Sequence, residues 1–147
     1  MKKLIMKGIV MTAFFSVVSI SCKKNKEDSN SDFSLLTMAA WKVSKYEQKI
    51  DSDPYIDQFP GWAACTKDDI YLFKTNNIYE INEGTTTCNS GDPQVIFTGT
   101  WLFKANRKID IGQDEYTIEQ LDQNTLVISN VYISNPDTKY TRYTFVH

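Results

Sequence analysis

The residues of this 147-residue chain that could do acid-base chemistry are neighbouring carboxylates and a single histidine. A glycosidase needs two carboxyl groups about 5–10 Å apart, but adjacent residues of a strand point to opposite faces. Asp68 and Asp69 therefore cannot form such a pair, and we expect them to accept hydrogen bonds from loop amides. His147 is the last residue, and the sequence has no Gly-x-Ser-x-Gly motif or Cys-His pair. We predict no catalytic residues and no enzyme activity.

Metal, cofactor and nucleic-acid binding are not indicated either. Asp51, Asp53 and Asp57 lack the glycine and the distal glutamate of a calcium loop, so we interpret them as a solvated loop. Beyond residue 32 there are 10 basic and 15 acidic residues, and the arginines are Arg107 and Arg142 alone. Such an acidic segment lacks the positive surface that binds a phosphate backbone.

The first 22 residues have the order of a secretory signal. Three lysines precede an apolar run over 8–20, and Ser21-Cys22 follows it. This run is shorter than the roughly 20 apolar residues that a membrane-spanning helix needs. We therefore predict a cleaved signal peptide over 1–21.

Val18 to Cys22 resembles the lipobox of bacterial lipoproteins, although Ser19 stands where leucine is commoner. The resemblance implies a lipid on Cys22 and a membrane as partner; the alternative is a secreted protein that begins near Cys22. Residues 22–32 are polar and charged, which predicts a flexible tether. The expected location is the cell envelope, as an outer-membrane lipoprotein on its periplasmic or surface-exposed face.

With Cys22 assigned to the lipid, Cys65 and Cys88 remain as an even pair. An exported protein keeps disulfides, and no further metal ligands stand near these cysteines. We predict a disulfide bond between them. A hairpin turning on Asn76 and Asn77 would set the two cysteines opposite each other.

Residues 33–147 are long enough for one domain with one core. A short helical turn is predicted over 32–39, and eight strands follow at 40–50, 68–75, 78–84, 94–104, 107–111, 114–121, 124–133 and 138–147. Short turns rich in Asn, Asp and Gly join them. An eight-stranded antiparallel meander with one apolar face closes most easily into an up-and-down barrel, because closure removes exposed edges.

The same region resembles the lipocalin-like domains of bacterial outer-membrane lipoproteins. The resemblance rests on Cys65-Thr-Lys-Asp-Asp-Ile-Tyr-Leu-Phe, on Asn77-Ile-Tyr, on Asn82-Glu-Gly leading to Cys88 and on Gly99-Thr-Trp, with Leu36 to Trp41 entering the first strand. It departs from the family at Ala40, where a glycine is usual, and at Asn76-Asn77, where Asp-Gly is commoner. It implies an eight-stranded barrel that binds a small molecule or serves the envelope.

Alternation predicts which side chains face the interior of that barrel. The expected interior set is Trp41, Val43, Tyr71, Phe73, Tyr79, Ile81, Val95, Phe97, Trp101, Phe103, Ile109, Ile111, Tyr116, Ile118, Leu126, Ile128, Thr141, Tyr143 and Phe145. Lys45, Glu47 and Asn130 share this parity, as Thr141 does, and could supply polar contacts.

The connection over 51–67 is longer than a hairpin needs and carries Phe59 and Trp62. Long ordered loops are often functional, so these rings either plug the barrel or form a lid over a ligand. The candidate ligand-binding residues are Trp41, Val43, Phe59, Trp62, Tyr71, Phe73, Tyr79, Phe97, Trp101, Phe103, Tyr116 and Tyr143.

We expect a monomer that binds a small hydrophobic or amphipathic ligand. The alternative is an interaction module with a side-chain-filled barrel, which binds a protein or glycan through exposed Tyr46, Tyr55, Tyr132 and Tyr140.

Overall fold

A computed structural model describes residues 27–147, and the predicted signal peptide and the lipid site at Cys22 lie outside them. Its helices are α1 (Glu27–Thr37) and α2 (Ala64–Lys67), with a 3-10 turn at Phe59–Gly61. Its strands are β1 (Lys42–Ile50), β2 (Ile56–Asp57), β3 (Ile70–Phe73), β4 (Ile78–Asn82), β5 (Val95–Lys104), β6 (Lys108–Ile111), β7 (Asp114–Leu121), β8 (Thr125–Ser134) and β9 (Asp137–Val146). The eight predicted strands are all present, and two-residue β2 is an addition within the long loop.

The nine strands form one antiparallel sheet in the order β2-β1-β9-β8-β7-β6-β5-β4-β3. Apart from the pairing of β9 with β1, strands that are neighbours in the sheet are consecutive in the chain. This arrangement is the predicted meander. The ladder between β1 and β3 is not continuous in the described part of the chain. These strands are joined by one bridge, in which the amides of Trp41 and Tyr71 each donate to the other residue's carbonyl, at 2.9 and 2.8 Å.

Helix α1 covers the end of the sheet at which β1 begins. Leu36 is fully buried, and its carbonyl accepts a 2.9 Å hydrogen bond from the indole of Trp41. The ring of Phe33 lies 5.4 Å from that of Trp101. The helix begins at Glu27, so residues 27–32, which the sequence assigns to the tether, are helical. Helix α1 therefore closes the core at this end, which we call the helix end.

The buried apolar side chains of the strands define one core face of the sheet. They are Trp41, Val43, Phe73, Tyr79, Trp101, Ile109, Ile118, Leu121, Leu126, Ile128 and Phe145. Most of the expected interior set lies on this face, since alternation correctly assigns the central residues of each strand.

A β-bulge at Ser44 changes the face of the second half of β1. The register shifts between Val43 and Lys45, so that Tyr46 pairs with Tyr143 and Glu47 with Arg142. One inserted residue inverts the parity of everything that follows it. The predictions that Lys45 and Glu47 face the interior are therefore wrong, and Tyr46 takes an interior position.

The turn between β3 and β4 differs by one residue from the predicted one. Phe73 pairs with Tyr79, and the Lys74 amide donates to the Ile78 carbonyl at 2.8 Å, so the loop has three residues, 75–77, rather than two. Asn77 in this loop has a φ of 63°. Asparagine tolerates this left-handed conformation, which explains the position of the turn. The cysteines lie beyond this ladder, Cys65 in α2 and Cys88 after β4. They form the predicted disulfide with Cα atoms 5.2 Å apart, but not as a cross-strand pair.

Candidate ligand-binding site at the open end of the sheet

We call the end of the sheet opposite α1 the open end. The β6–β7 hairpin, which lies between β5 and β8, does not pair with these two strands at this end. Strand β6 pairs with β5 only from Trp101 onward, and β7 pairs with β8 only up to Ser129. Residues 95–99 and 130–134 consequently each have a strand neighbour on one side only. We call the gap between these two segments the notch.

Large apolar side chains on both sides of the notch are exposed to solvent. They are Val95, Ile96 and Phe97 on β5, with exposed fractions of 42 to 46%, and Val131, Tyr132 and Ile133 on β8, with 41 to 87%. The core clusters instead near the helix end. The apolar surface at the notch is therefore available for contact with another molecule.

Phe97 faces the core side of the sheet and is nevertheless half exposed. It pairs with Ile81, two positions after the buried Tyr79, and its ring lies 6.1 Å from that of Tyr79.

Val95, two residues before Phe97, does not share its face. The register shift after Ile81 places Val95 opposite Asn82. The prediction that Val95 is interior is therefore wrong, because the bulge turns it away from the core face.

The first loop packs its rings against the core face at the open end. Trp62 lies 5.4 Å from both Phe59 and Tyr46, measured between ring centroids, and Tyr46 stacks on Tyr143 at 4.6 Å. All four rings are partly buried. The prediction that Tyr46 is exposed is wrong, since the Ser44 bulge turns it inward. The contacts fit both the plug and the lid interpretation of this loop.

The twelve candidate ligand-binding residues separate into three groups by burial. Trp41, Val43, Phe73, Tyr79 and Trp101 are buried in the core, and Phe59, Trp62, Tyr71, Phe103, Tyr116 and Tyr143 are half-buried. Phe97 is the exposed member. Residues of the second and third groups that lie at the open end can contact a ligand without unpacking the core.

Burial favours the neutral form of three half-buried tyrosines on the core face. It raises the pKa of Tyr71 to about 12, with a smaller contribution from the charge of Asp69. Desolvation raises the pKa of Tyr116 and of Tyr143 as well. These hydroxyls act as neutral hydrogen-bonding groups at physiological pH.

Two carboxylates at the open end are buried, and they were not identified as a pair from the sequence. The β3–β4 register pairs Ile70 with Asn82, so the next step places Asp69 opposite Glu83, on the core face that Tyr71 and Ile81 share. Asp69 is 6% exposed and Glu83 is 5% exposed. Their common parity with Tyr71 and Ile81 was the available signal in the sequence.

Neither carboxylate is fully satisfied within residues 27–147. Asp69 Oδ1 and Glu83 Oε2 are buried and have no hydrogen-bond partner among the described residues, nor does any described lysine or arginine form a salt bridge to them. Burial, followed by the charges of Glu83 and Asp68, raises the pKa of Asp69 to about 6.

Asp68 has the structural role that the sequence predicts. Its Oδ2 accepts hydrogen bonds from the amides of Thr85 and Thr86, at 2.8 and 2.9 Å. Desolvation opposes ionisation, but hydrogen bonds from Thr86 and Thr85 leave the pKa of Asp68 below its ordinary value. Gly84 is required here, because a Cβ atom would lie 2.1 Å from the Asp68 carbonyl oxygen.

The outer face carries a separate polar cavity of about 320 Å³. Glu47 lines this cavity and forms salt bridges to Lys45 and Arg142, with an N–O distance of 2.8 Å in each. The hydrogen bond from Arg142 is the largest influence on the pKa of Glu47 and holds it below its usual value. The ring of Tyr55 covers the Arg142 guanidinium at 4.3 Å. This charged surface does not suit a hydrophobic ligand.

Within residues 27–147, no group of three or more His, Cys, Asp or Glu side chains is arranged to hold a metal ion. None of the helices in that range is long and apolar enough to span a membrane. The chain matches no family model, no curated protein and no solved structure.

Proposed function

We propose that the chain is a lipid-anchored envelope protein whose domain is a lipocalin-like barrel, binding a small hydrophobic or amphipathic molecule at the open end without catalysing a reaction. The observation that carries the proposal is the exposure of Phe97, which is 46% exposed although it faces the core side of the sheet. A ring in that position loses apolar surface to water when a ligand covers it, which favours binding.

The barrel interpretation is supported by the two ends of the meander. Strands β1 and β3 stand at or next to the edges of the sheet, and the Trp41–Tyr71 bridge brings them together at the helix end. In a barrel of eight strands, β1 and β3 to β9 form the wall, and the wall would be open at the notch. Large core side chains fill the helix end, so the proposed ligand occupies the opposite end.

The envelope assignment rests on the N-terminal sequence and agrees with the cysteines of the domain. Cys22 follows a short apolar run and a small residue, and the Cys65–Cys88 disulfide suits an exported protein. The anchor at Cys22 would hold the domain at the membrane surface.

Native mass spectrometry of the protein purified without detergent tests the proposal. We expect co-purified hydrophobic molecules, and we expect added fatty acids or sterols to quench the tryptophan fluorescence, mainly through the half-buried Trp62, because Trp41 and Trp101 are buried. Phe97→Ser should weaken this binding by about tenfold, whereas Leu102→Ser, at a 56% exposed position beyond the notch, should not. Absence of both a bound molecule and quenching across the panel would exclude the proposed function.

The exposed tip of β8 favours a second candidate, an interaction module that binds a protein. Ile133 is 87% exposed and Val131 is 55% exposed, and backbone groups of this segment lack a strand neighbour on one side. Such an edge can pair with a strand of another protein. A photo-reactive residue at position 133 would yield protein adducts in intact cells under this second function and lipid adducts under the first.

A further inference from the structure

The buried pair Asp69 and Glu83 lies directly beside the proposed apolar site. Along the core face, the row formed by Tyr71, Ile81 and Phe97 is followed toward the open end by the row that contains Asp69 and Glu83. Apolar surface and two carboxylates are therefore adjacent at one end of one face. A ligand that fits both must have an apolar part and a charged group.

Each carboxylate presents one oxygen that the described residues leave unused. The nearby Gly84 backbone favours the charged form of Asp69, but Asp69 Oδ1 and Glu83 Oε2 are buried without a hydrogen-bond partner. The charge of Glu83 disfavours ionisation of Asp69, and a buried polar group without a hydrogen bond is costly. A bound cation with N–H donors would relieve both penalties.

The chemistry of the pair favours an ammonium group over a metal ion. Calcium takes six to eight oxygen ligands, and no described cluster of three or more acidic, cysteine or histidine side chains exists to supply them. A primary ammonium has three donors, which two carboxylate oxygens and a neighbouring acceptor can satisfy. The partly buried ring of Tyr71 lies on the adjacent row and can contact the cation through its face.

We propose that Asp69 and Glu83 bind the ammonium group of an amphipathic primary amine whose apolar part lies against Ile81 and Phe97. This inference rests on the proposed function and names the class of its ligand. Both oxygens are shielded from bulk solvent, so binding of the amine requires local movement of the residues that cover them.

Calorimetric titration of the full chain carrying Cys22→Ser, with octylamine and octanol as probes, tests the proposal. At pH 8 we expect octylamine to bind at least tenfold more tightly than octanol. The variant D69N/E83Q should bring the two affinities within twofold of each other and leave octanol binding unchanged. Glu119→Gln, a matched removal of an exposed carboxylate on the outer face, should behave as wild type.

Octanol binding also reports whether D69N/E83Q is folded, since it does not use the carboxylates. Equal affinities of wild type for octylamine and octanol would overturn the amine proposal and leave the proposed function standing. Failure of both probes to bind would overturn both. Calcium binding that is lost in D69N/E83Q and that blocks octylamine would overturn the amine proposal in favour of a metal site.

Discussion

The ring of Tyr46 stacks on that of Tyr143, with centroids 4.6 Å apart, across the β1–β9 ladder. The contact depends on the bulge at Ser44, because an uninterrupted strand would turn Tyr46 to the outer face. The same bulge places Glu47 beside Arg142 on that outer face. One extra residue thus separates an aromatic surface inside from an ion pair outside.

We expect Asp69 to make stability fall as the pH rises. Its folded pKa of about 6 lies above the ordinary value of 3.8, so the folded state binds the proton more tightly than the unfolded state does. The stabilisation is complete below pH 4 and is lost as the pH rises through 6, by about 2 to 3 kcal/mol. Asp69→Asn should remove this dependence, measured by urea unfolding at pH 4, 6 and 8. Parallel pH profiles of the two proteins would contradict it.

Leu36→Ala should lower the free energy of unfolding by about 2 to 5 kcal/mol. Leu36 is fully buried against the core and fixes α1 over the helix end. Met38→Ala is the matched control, since Met38 is 56% exposed just after the same helix, and it should change stability by less than about 0.5 kcal/mol. Equal losses in the two variants, measured by urea denaturation, would show that α1 does not close the core.

The double variant Cys65→Ala with Cys88→Ala should lower stability by roughly 3 kcal/mol in the chain-entropy description. The bond closes a segment with a sequence separation of 23 residues, which includes both β3 and β4. A reducing agent should destabilise the wild type by a similar amount and leave the variant unchanged. Intact mass after alkylation without reductant gives an independent check, and two alkylated thiols besides Cys22 would refute the bond.

Cys22→Ala should release the protein from the membrane fraction into the soluble fraction. The proposed lipid attaches only to this thiol, and the polar residues after it have no apolar surface to hold a membrane. Fractionation of cells that produce either protein measures the change, with Ser29→Ala as a control that alters the following segment without removing the thiol. A variant that stays with membranes as fully as the wild type would exclude lipidation at this site.

Alternation and turn chemistry predicted the strands, because apolar residues recur at every second position, as with Tyr71 and Phe73 on β3 and Tyr143 and Phe145 on β9, and because Asn or Gly marks most turns. Bulges were missed at Ser44 and near Ile96, since a single inserted residue leaves composition unchanged while it inverts parity. The sequence did contain a sign of the bulge at Ser44. The large apolar residues change from odd positions, Trp41 and Val43, to even positions from Tyr46 onward.

The candidate site was only partly predictable for a different reason. Phe97 and Tyr116 were identified by parity, but the notch depends on how far β6 and β7 extend along their neighbours, which hydropathy does not encode. Asp69 was considered together with Asp68, its neighbour in sequence, whereas the β3–β4 register, continued one step beyond Ile70 and Asn82, places it opposite Glu83. Cross-strand pairing, rather than adjacency in sequence, determines which carboxylates meet.

The notch divides β5 and β8 each into two segments that should differ in hydrogen exchange. Amides of the segments near the helix end lie between two strands and exchange only when much of the sheet opens, whereas those of 95–99 and 130–134 can be released by local fraying. Fraying of that kind would widen the opening without disturbing Trp41 or Trp101. Each of these two strands thus combines a stable segment near the helix end with a segment that opens locally. The segment that opens locally is the one beside the proposed ligand.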